Sequence, residues 1–426
     1  MNNLLRIQPP VFPVEKVVIP DAVSLQLNNG VPVYLIDAGT EDIMRLEFTF
    51  KAGQVNEYLP LLASTTNRML SEGSQNYSSE ELNRIIDFHG VFLNLSAEKD
   101  RAGIVVFFLS KDIDKVLELS QEIIFRPVFP EPELNSLMKK RLRWYLVNRE
   151  KVQNLAIDTF FESVFGKHHP YGHQISESDF ENINPAILKD FHAKYYTPDN
   201  MAVIVSGKLH KKTFELINHY FGDITTQKIY TEESTNILKG EKKKIVHINK
   251  PGAVQSAIRI GSTTINKRHP DYPGLKILDS LLGGYFGSRL MKNIREEKGY
   301  TYGISSSVSS LDLTGYKVIS TDVGTKNCQK TIAELYKEIK LLQTTPVEIE
   351  ELTIVRNYMS GEMLRMFDGP FALADSFKSA WEFGLDNNYY FRLAEKIKTI
   401  DPDEITALAK TYYNIDDLYQ ITVGEK

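Results

Sequence analysis

The sequence predicts an α+β fold of two tandem, homologous domains, each a mostly antiparallel sheet packed by helices. Three observations carry that expectation. Strand-like segments come in hairpin order, with helical patterns grouped between them. A stretch near the C-terminus repeats one near the middle at a fixed spacing. A polar, aperiodic run separates the two copies.

In the first half, VSLQLN, VPVYLID and MRLEFTFKAG read as strands, from their apolar alternation and β-branched content. Residues 57–72 and 78–88 read as helices. GVFLNLSAE and AGIVVFFLS read as a second pair of strands, followed by helices over 112–124 and 131–164. Consecutive strands of this kind favour antiparallel pairing over a doubly wound parallel sheet.

The repeat is explicit. Residues 184–207 read NPAILKDFHAKYYTPDNMAVIVSG and residues 401–424 read DPDEITALAKTYYNIDDLYQITVG. Pro185 pairs with Pro402, Tyr195 with Tyr412, Asp199 with Asp416 and Gly207 with Gly424, each 217 residues apart without a gap. Both copies read as a Pro-initiated helix, a turn and an apolar strand. Glu131 and Glu133 precede Glu348 and Glu350 by the same 217 residues. A period this long is one duplicated domain, not a solenoid. The expected division is 1–225, a linker at 226–243 and 244–426. The linker is assigned to TQKIYTEESTNILKGEKK because it is charged and aperiodic.

Composition excludes several classes. With 42% apolar and 25% charged residues the chain is ordinary for a globular protein, and a net charge of −5 argues against nucleic-acid binding. No stretch approaches the roughly 18 apolar residues of a membrane helix. The N-terminal MNNLLRIQPPVFP lacks the apolar run of a signal peptide, so the expected location is cytoplasmic, with no membrane partner. The single cysteine, Cys328, cannot form an intrachain disulfide. Phosphate loops, dinucleotide fingerprints, nucleophile elbows and paired zinc cysteines are all missing. His168, His169 and His173 lie in FGKHHPYGHQ. Pro170 and Gly172 make this segment a turn, which reads as a loop that positions its neighbours, not as a metal site.

The specific signal lies in the second half, in GAVQSAIRIGSTTINKRHPDYPGLKILDSLLGG at 252–284 and GSRLMKNIREEKGYTYGIS at 287–305. With the duplication and the HHPYG turn, these segments resemble the pitrilysin-type zinc peptidases, which include mitochondrial processing peptidase and insulin-degrading enzyme. The resemblance spans essentially the whole chain. It implies a mitochondrial processing peptidase-like fold and, in catalytic members, an inverted zincin motif H-x-x-E-H on the first long helix. There two histidines bind zinc, the glutamate acts as base, and a distal glutamate completes the site.

The segments that flank this motif survive here. Met69, Leu70, Gly73 and Ser74 follow the helix, SSEELNRIIDF forms the next one, and Gly90, Leu93 and Asn94 open the strand. The motif positions then fall on Ser64, Asn67 and Arg68, and the distal position on Trp144. None keeps the required chemistry: Asn67 cannot take a proton, and Arg68 stays charged and repels a cation. The resemblance further implies that Arg295 and Tyr302, in REEKGYTY, reach across a chamber to substrate, Tyr302 as oxyanion donor and Arg295 as backbone anchor. The same residues also read as an ordinary helix end capped by Gly299. Asn94 marks the strand whose edge would pair with extended substrate.

The expectation is therefore a chain with no cofactor, inactive as a peptidase by itself. It would be the non-catalytic half of a heterodimeric zinc metallopeptidase. Its partners would be a homologous zinc-bearing subunit and a peptide or unfolded polypeptide. The alternative is a scaffold or binding protein of the same fold with no role in proteolysis.

Overall fold

The computed structural model describes residues 19–225 and 240–425. The first half runs β1 (Val23–Gln26), β2 (Pro32–Asp37), β3 (Ile43–Phe50), α1 (Leu62–Met69), α2 (Ser79–Phe88), β4 (Phe92–Ala97) and β5 (Ala102–Leu109). It continues with α3 (Ile113–Phe125), α4 (Glu131–Arg149), α5 (Val152–Phe165), α6 (Pro185–Tyr195), β6 (Met201–Gly207) and α7 (Thr213–Phe221). The second half runs β7 (Ile245–Asn249), β8 (Gln255–Thr264), α8 (Tyr272–Asp279), β9 (Thr301–Ser310), β10 (Gly315–Gly324) and α9 (Cys328–Thr344). It closes with α10 (Ile349–Arg365), α11 (Pro370–Trp381), α12 (Asn388–Thr399), α13 (Pro402–Tyr412) and β11 (Tyr419–Gly424). Two π-helical segments, Ser280–Gly284 and Met291–Glu297, lie between α8 and β9. Most of the expected linker, 226–239, falls outside the described residues.

The two sheets share one topology. Their orders are β1-β2-β6-β3-β5-β4 and β7-β11-β8-β10-β9, so β2, β6, β3, β5 and β4 correspond to β7, β11, β8, β10 and β9. In each sheet one pair is parallel, β2 with β6 and β7 with β11, and the remaining pairs are antiparallel. The repeated sequence lies at matching places. Asn184 and Asp401 cap α6 and α13 through their side-chain oxygens, with Pro185 and Pro402 at the first helical position. Gly207 ends β6 at φ +127°, where a Cβ would lie 2.4 Å from the Ile43 carbonyl oxygen.

Two expected helices are shorter than the sequence patterns suggest. The helix expected over 57–72 begins only at Leu62, because Leu61, directly after Pro60, holds a left-handed φ of 70°. The helix expected over 131–164 is two, since α4 stops at Arg149 and Lys151 is extended before α5. The break has a packing reason. α5 leaves its own half and lies on β8 and β11 of the other sheet, where Phe160, Val164 and Phe165 are buried with Ala257, Ile421 and Val423. Its counterpart α11 crosses the other way, burying Leu373 and Ala374 against Ile36 and Ile204. Each half thus covers one sheet of the other. Burying one such Phe or Leu contributes about 1.5–3 kcal/mol.

Charged groups reinforce the exchange. Glu47, buried in β3, bonds Arg45 Nη2 and Lys378 Nζ of α11, both at 2.6 Å, and Arg45 also reaches Asp375 at 2.7 Å. Buried carboxylates require such partners.

Candidate functional site

Helix α1 carries Ser64, Asn67 and Arg68, where the motif is expected, and the structure separates them. Ser64 faces a cavity between the two halves. Asn67 is buried, with its Nδ2 3.4 Å from the Gly103 carbonyl oxygen, and Arg68 is exposed. Trp144 on α4 is 69% exposed. The α4 side chain that meets Ser64 is Arg141, one helical turn before Trp144. Its Nη2 donates to Ser64 Oγ at 2.9 Å and its Nη1 to Thr65 Oγ1 at 2.6 Å. Glu57 receives the Ala63 amide at 3.0 Å, at the start of the same helix. Burial pushes the Glu57 carboxyl up to about 7, against the opposing pull of the Ala63 N–H and the Arg141 charge. Burial also lowers the pKa of Arg141, with Glu57 opposing and Arg68 adding to the shift.

β4 is an edge strand. Asn94 faces Val105 of β5 on one side, is exposed, and has no strand on the other side among the described residues. The far end of this strand, Ser96 and Ala97, borders the cavity, whereas Asn94 itself does not line it.

β9 is the matching edge of the second sheet, and Tyr302 sits in an irregularity of its register. Thr301 pairs with Val323 and Ile304 with Thr321, so the regular ladder skips the residues between. The distortion is held by hydrogen bonds: Thr301 Oγ1 accepts from the Gly303 amide at 3.1 Å and lies 2.8 Å from the Asp322 carbonyl oxygen. Thr321 Oγ1 lies 2.9 Å from the Gly303 carbonyl oxygen. A bulge re-aims a side chain, and Tyr302 is left 94% exposed, its hydroxyl without a hydrogen bond among the described residues. Arg295 lies in the π-helical segment Met291–Glu297, which packs against β9. Its guanidinium stacks over the exposed Phe286 ring, 4.5 Å from the centroid. Gly299 then turns the chain at φ +63°.

Residues 33–177 match the family described as Insulinase (Peptidase family M16), and residues 182–359 match the Peptidase M16 inactive domain. The chain belongs to peptidase family M16. Among its relatives is an uncharacterized zinc protease, YmxG, of Bacillus subtilis, 22% identical over 70% of this chain and 72% of the relative. Another, the non-peptidase homolog YmxG of Helicobacter pylori, is 21% identical over 86% of this chain and 84% of the relative. The crystal structure of a peptidase M16 inactive domain from Pseudomonas fluorescens superposes with a TM-score of 0.83, at 21% identity, covering 96% of this chain and 99% of that one. Among the described residues, no helix is long and apolar enough to cross a membrane.

Zinc is the metal of catalytic M16 members, and the side chains at the motif positions do not fit it. A zinc site of this class needs imidazole and carboxylate donors converging on one point. Here the Ser64 hydroxyl already receives a guanidinium, Asn67 points to a backbone carbonyl, and Arg68 and Trp144 supply no acceptor. Among the described residues no three His, Cys, Asp or Glu side chains gather as a metal would require. In the HHPYG turn, His169 is buried and its Nδ1 accepts from the Tyr171 amide at 3.0 Å, while His168 and His173 are exposed.

Motif reasoning missed Arg141 and Glu57. It considered on α4 only Trp144, where counting placed the distal glutamate position of the family motif. Which side chain of a helix reaches its neighbour is set by packing, and on α4 Arg141 is the one that meets Ser64.

Proposed function

We propose that this chain is the non-catalytic subunit of a heterodimeric M16 zinc metallopeptidase and supplies Tyr302 and Arg295 to the active site of a homologous zinc-bearing partner. The observation that carries this reading is Tyr302. An almost fully exposed tyrosine on a bulged sheet edge, its hydroxyl unbonded within the chain, is a phenol held out for something outside the chain. A structural tyrosine buries its ring and bonds its hydroxyl.

In the closed pair, the Tyr302 hydroxyl donates to the oxyanion that develops on the scissile carbonyl. Arg295, steadied by Phe286, holds a substrate carbonyl. The open edge of β4 at Asn94 offers backbone groups to an extended peptide, giving affinity with little sequence preference. The chain binds no metal of its own and does not cleave peptides alone.

The scaffold reading draws on one observation. Arg295 already has a partner in Phe286, as a structural arginine would. Size-exclusion chromatography of this chain with a zinc-bearing M16 homologue from the same genome, followed by a peptide-cleavage assay on the complex, separates the readings. A complex that cleaves while each chain alone does not supports the shared site. A stable complex whose cleavage rate equals that of the zinc subunit alone supports the scaffold.

A further inference from the structure

The cavity beside α1 has features that the shared-site reading does not use. It is about 970 Å³, within the upper range of small-molecule pockets, and is walled by both halves of one chain. Four cationic side chains line it without an ion pair among the described residues. Lys99 donates to the Tyr171 carbonyl oxygen at 3.0 Å, and Arg141 to two hydroxyls. Lys267 donates to the Ser379 carbonyl oxygen at 2.9 Å and also bonds the Ser379 hydroxyl. Among the described residues the Lys276 ammonium on α8 makes no hydrogen bond. Four of the lining carboxylates have partners within the chain: Asp100 bonds Tyr171 and the Asp312 amide, Glu57 the Ala63 amide, Glu362 pairs with Arg365, and Glu382 with Arg101 and Lys378.

Lys267 and Lys276 are the informative pair. They face one cavity and repel each other. Burial pushes Lys267 down to about 8; Glu382 opposes that shift and Lys276 adds to it. Among the described residues Lys267 bonds only neutral oxygens and the Lys276 ammonium makes no ion pair, so an anion bound between them would give both a charged partner in this cavity. The same cavity is bordered by an apolar wall from α10 and α12: Met359, Met363, Leu393 and Ile397, all buried. Methionines suit a flexible chain because their side chains adapt to irregular shapes. A polyanion does not fit, because Glu57, Glu98, Asp100, Glu362 and Glu382 also border the space.

We propose that this cavity binds an amphipathic organic monoanion, a straight-chain carboxylic acid whose carboxylate sits between Lys267 and Lys276 and whose chain lies along Met359, Met363, Leu393 and Ile397. The site lies within one subunit, so it stands or falls independently of the partner.

The test is isothermal titration of the isolated full chain with decanoate, and with decanol as a chain of the same length without the charge. The expected result is one saturable site per chain for decanoate and at least tenfold weaker binding of decanol. The variant Lys267→Met/Lys276→Met should bind decanoate at least tenfold more weakly, with the circular dichroism spectrum of the parent. The decanol comparison needs no variant, so the test survives if the double substitution fails to fold. Absence of saturable decanoate binding at millimolar concentration would overturn the proposal. So would equal affinity for decanol, or undiminished affinity in the folded double variant.

Discussion

Arg141 Nη2 donates to the Ser64 hydroxyl at 2.9 Å, so a protein cation meets the helix position where catalytic relatives are expected to place their first zinc ligand. The guanidinium ties α4 to α1 and places positive charge on the accepting lone pair of Ser64 Oγ, the atom a metal ligand would use. Arg141→Ala would leave the fully buried Thr65 hydroxyl without its donor. The expected cost is about 1–3 kcal/mol, read as a lower urea midpoint with an unchanged slope.

The same contact bears on metal binding. The purified chain is expected to carry no stoichiometric zinc after dialysis, as read by elemental analysis. The triple variant Ser64→His/Asn67→Glu/Arg68→His should still bind zinc poorly, because Arg141 and Trp144 remain. Adding Arg141→Ala and Trp144→Glu should raise the zinc affinity. About one zinc per unmodified chain would contradict the assignment of these positions.

Glu57 makes stability depend on pH. Its carboxyl is pushed up to about 7 in the fold, against an unfolded value of 4.5. Between those values the folded state holds a proton that the unfolded state has lost. Its contribution is therefore fully present below about pH 4.5 and is lost as the pH rises through about 7. Glu57→Gln keeps the shape and removes the titration. Relative to the parent, the variant should gain on the order of 1–3 kcal/mol between pH 5 and pH 8, discounted for the water that reaches the cavity. Chemical denaturation at the two pH values checks this. An equal difference between the proteins at both pH values would reject it.

Exchange of α5 and α11 between the halves makes each depend on the other. Phe160 is fully buried at the seam, so Phe160→Ala should destabilise the whole chain by about 3–5 kcal/mol, in a single transition. A fragment ending near residue 225 should bind a fluorescent apolar dye and self-associate, because α5 would lose the sheet it covers. A monomeric, dye-negative fragment with a cooperative melt would contradict this.

The open edge of β4 is expected to take a bound peptide as an added strand. Amide exchange over residues 92–97 should slow when an unfolded polypeptide is bound to the assembled pair, while that of β5, already paired on both sides, should change little. Unaltered exchange at 92–97 with bound peptide would remove β4 from the substrate path.

The duplication was legible because its signals are local and chemical. A capping residue followed by proline opens α6 and α13, and a glycine that cannot carry a Cβ ends β6. The sheet edge at Asn94 followed from the family resemblance alone, since nothing in a strand's own sequence says which strand is outermost, and the edge position of Tyr302 was not read for the same reason. The break at Lys151 was not legible. The pattern over 131–164 is continuously helical, and only the sheet of the other half turns α5 away. The role of Arg141 was hidden for a related reason: residue counting fixes position along a helix but not which side chain reaches the neighbouring helix. The bulge that aims Tyr302 depends on the Thr301 hydroxyl folding back on Gly303, a contact between residues that look like plain strand.

The central claim is that Tyr302 acts in a partner's active site, and the turnover of the reconstituted pair with Tyr302→Phe tests it most directly. The substitution keeps the exposed ring and removes only the hydroxyl, so assembly should be unchanged by size-exclusion chromatography. Loss of one oxyanion donor typically lowers kcat by about 10²–10³. A fall of that size, with complex formation intact, is the expected result. Full turnover in the intact complex would contradict the shared site and leave this chain as a scaffold.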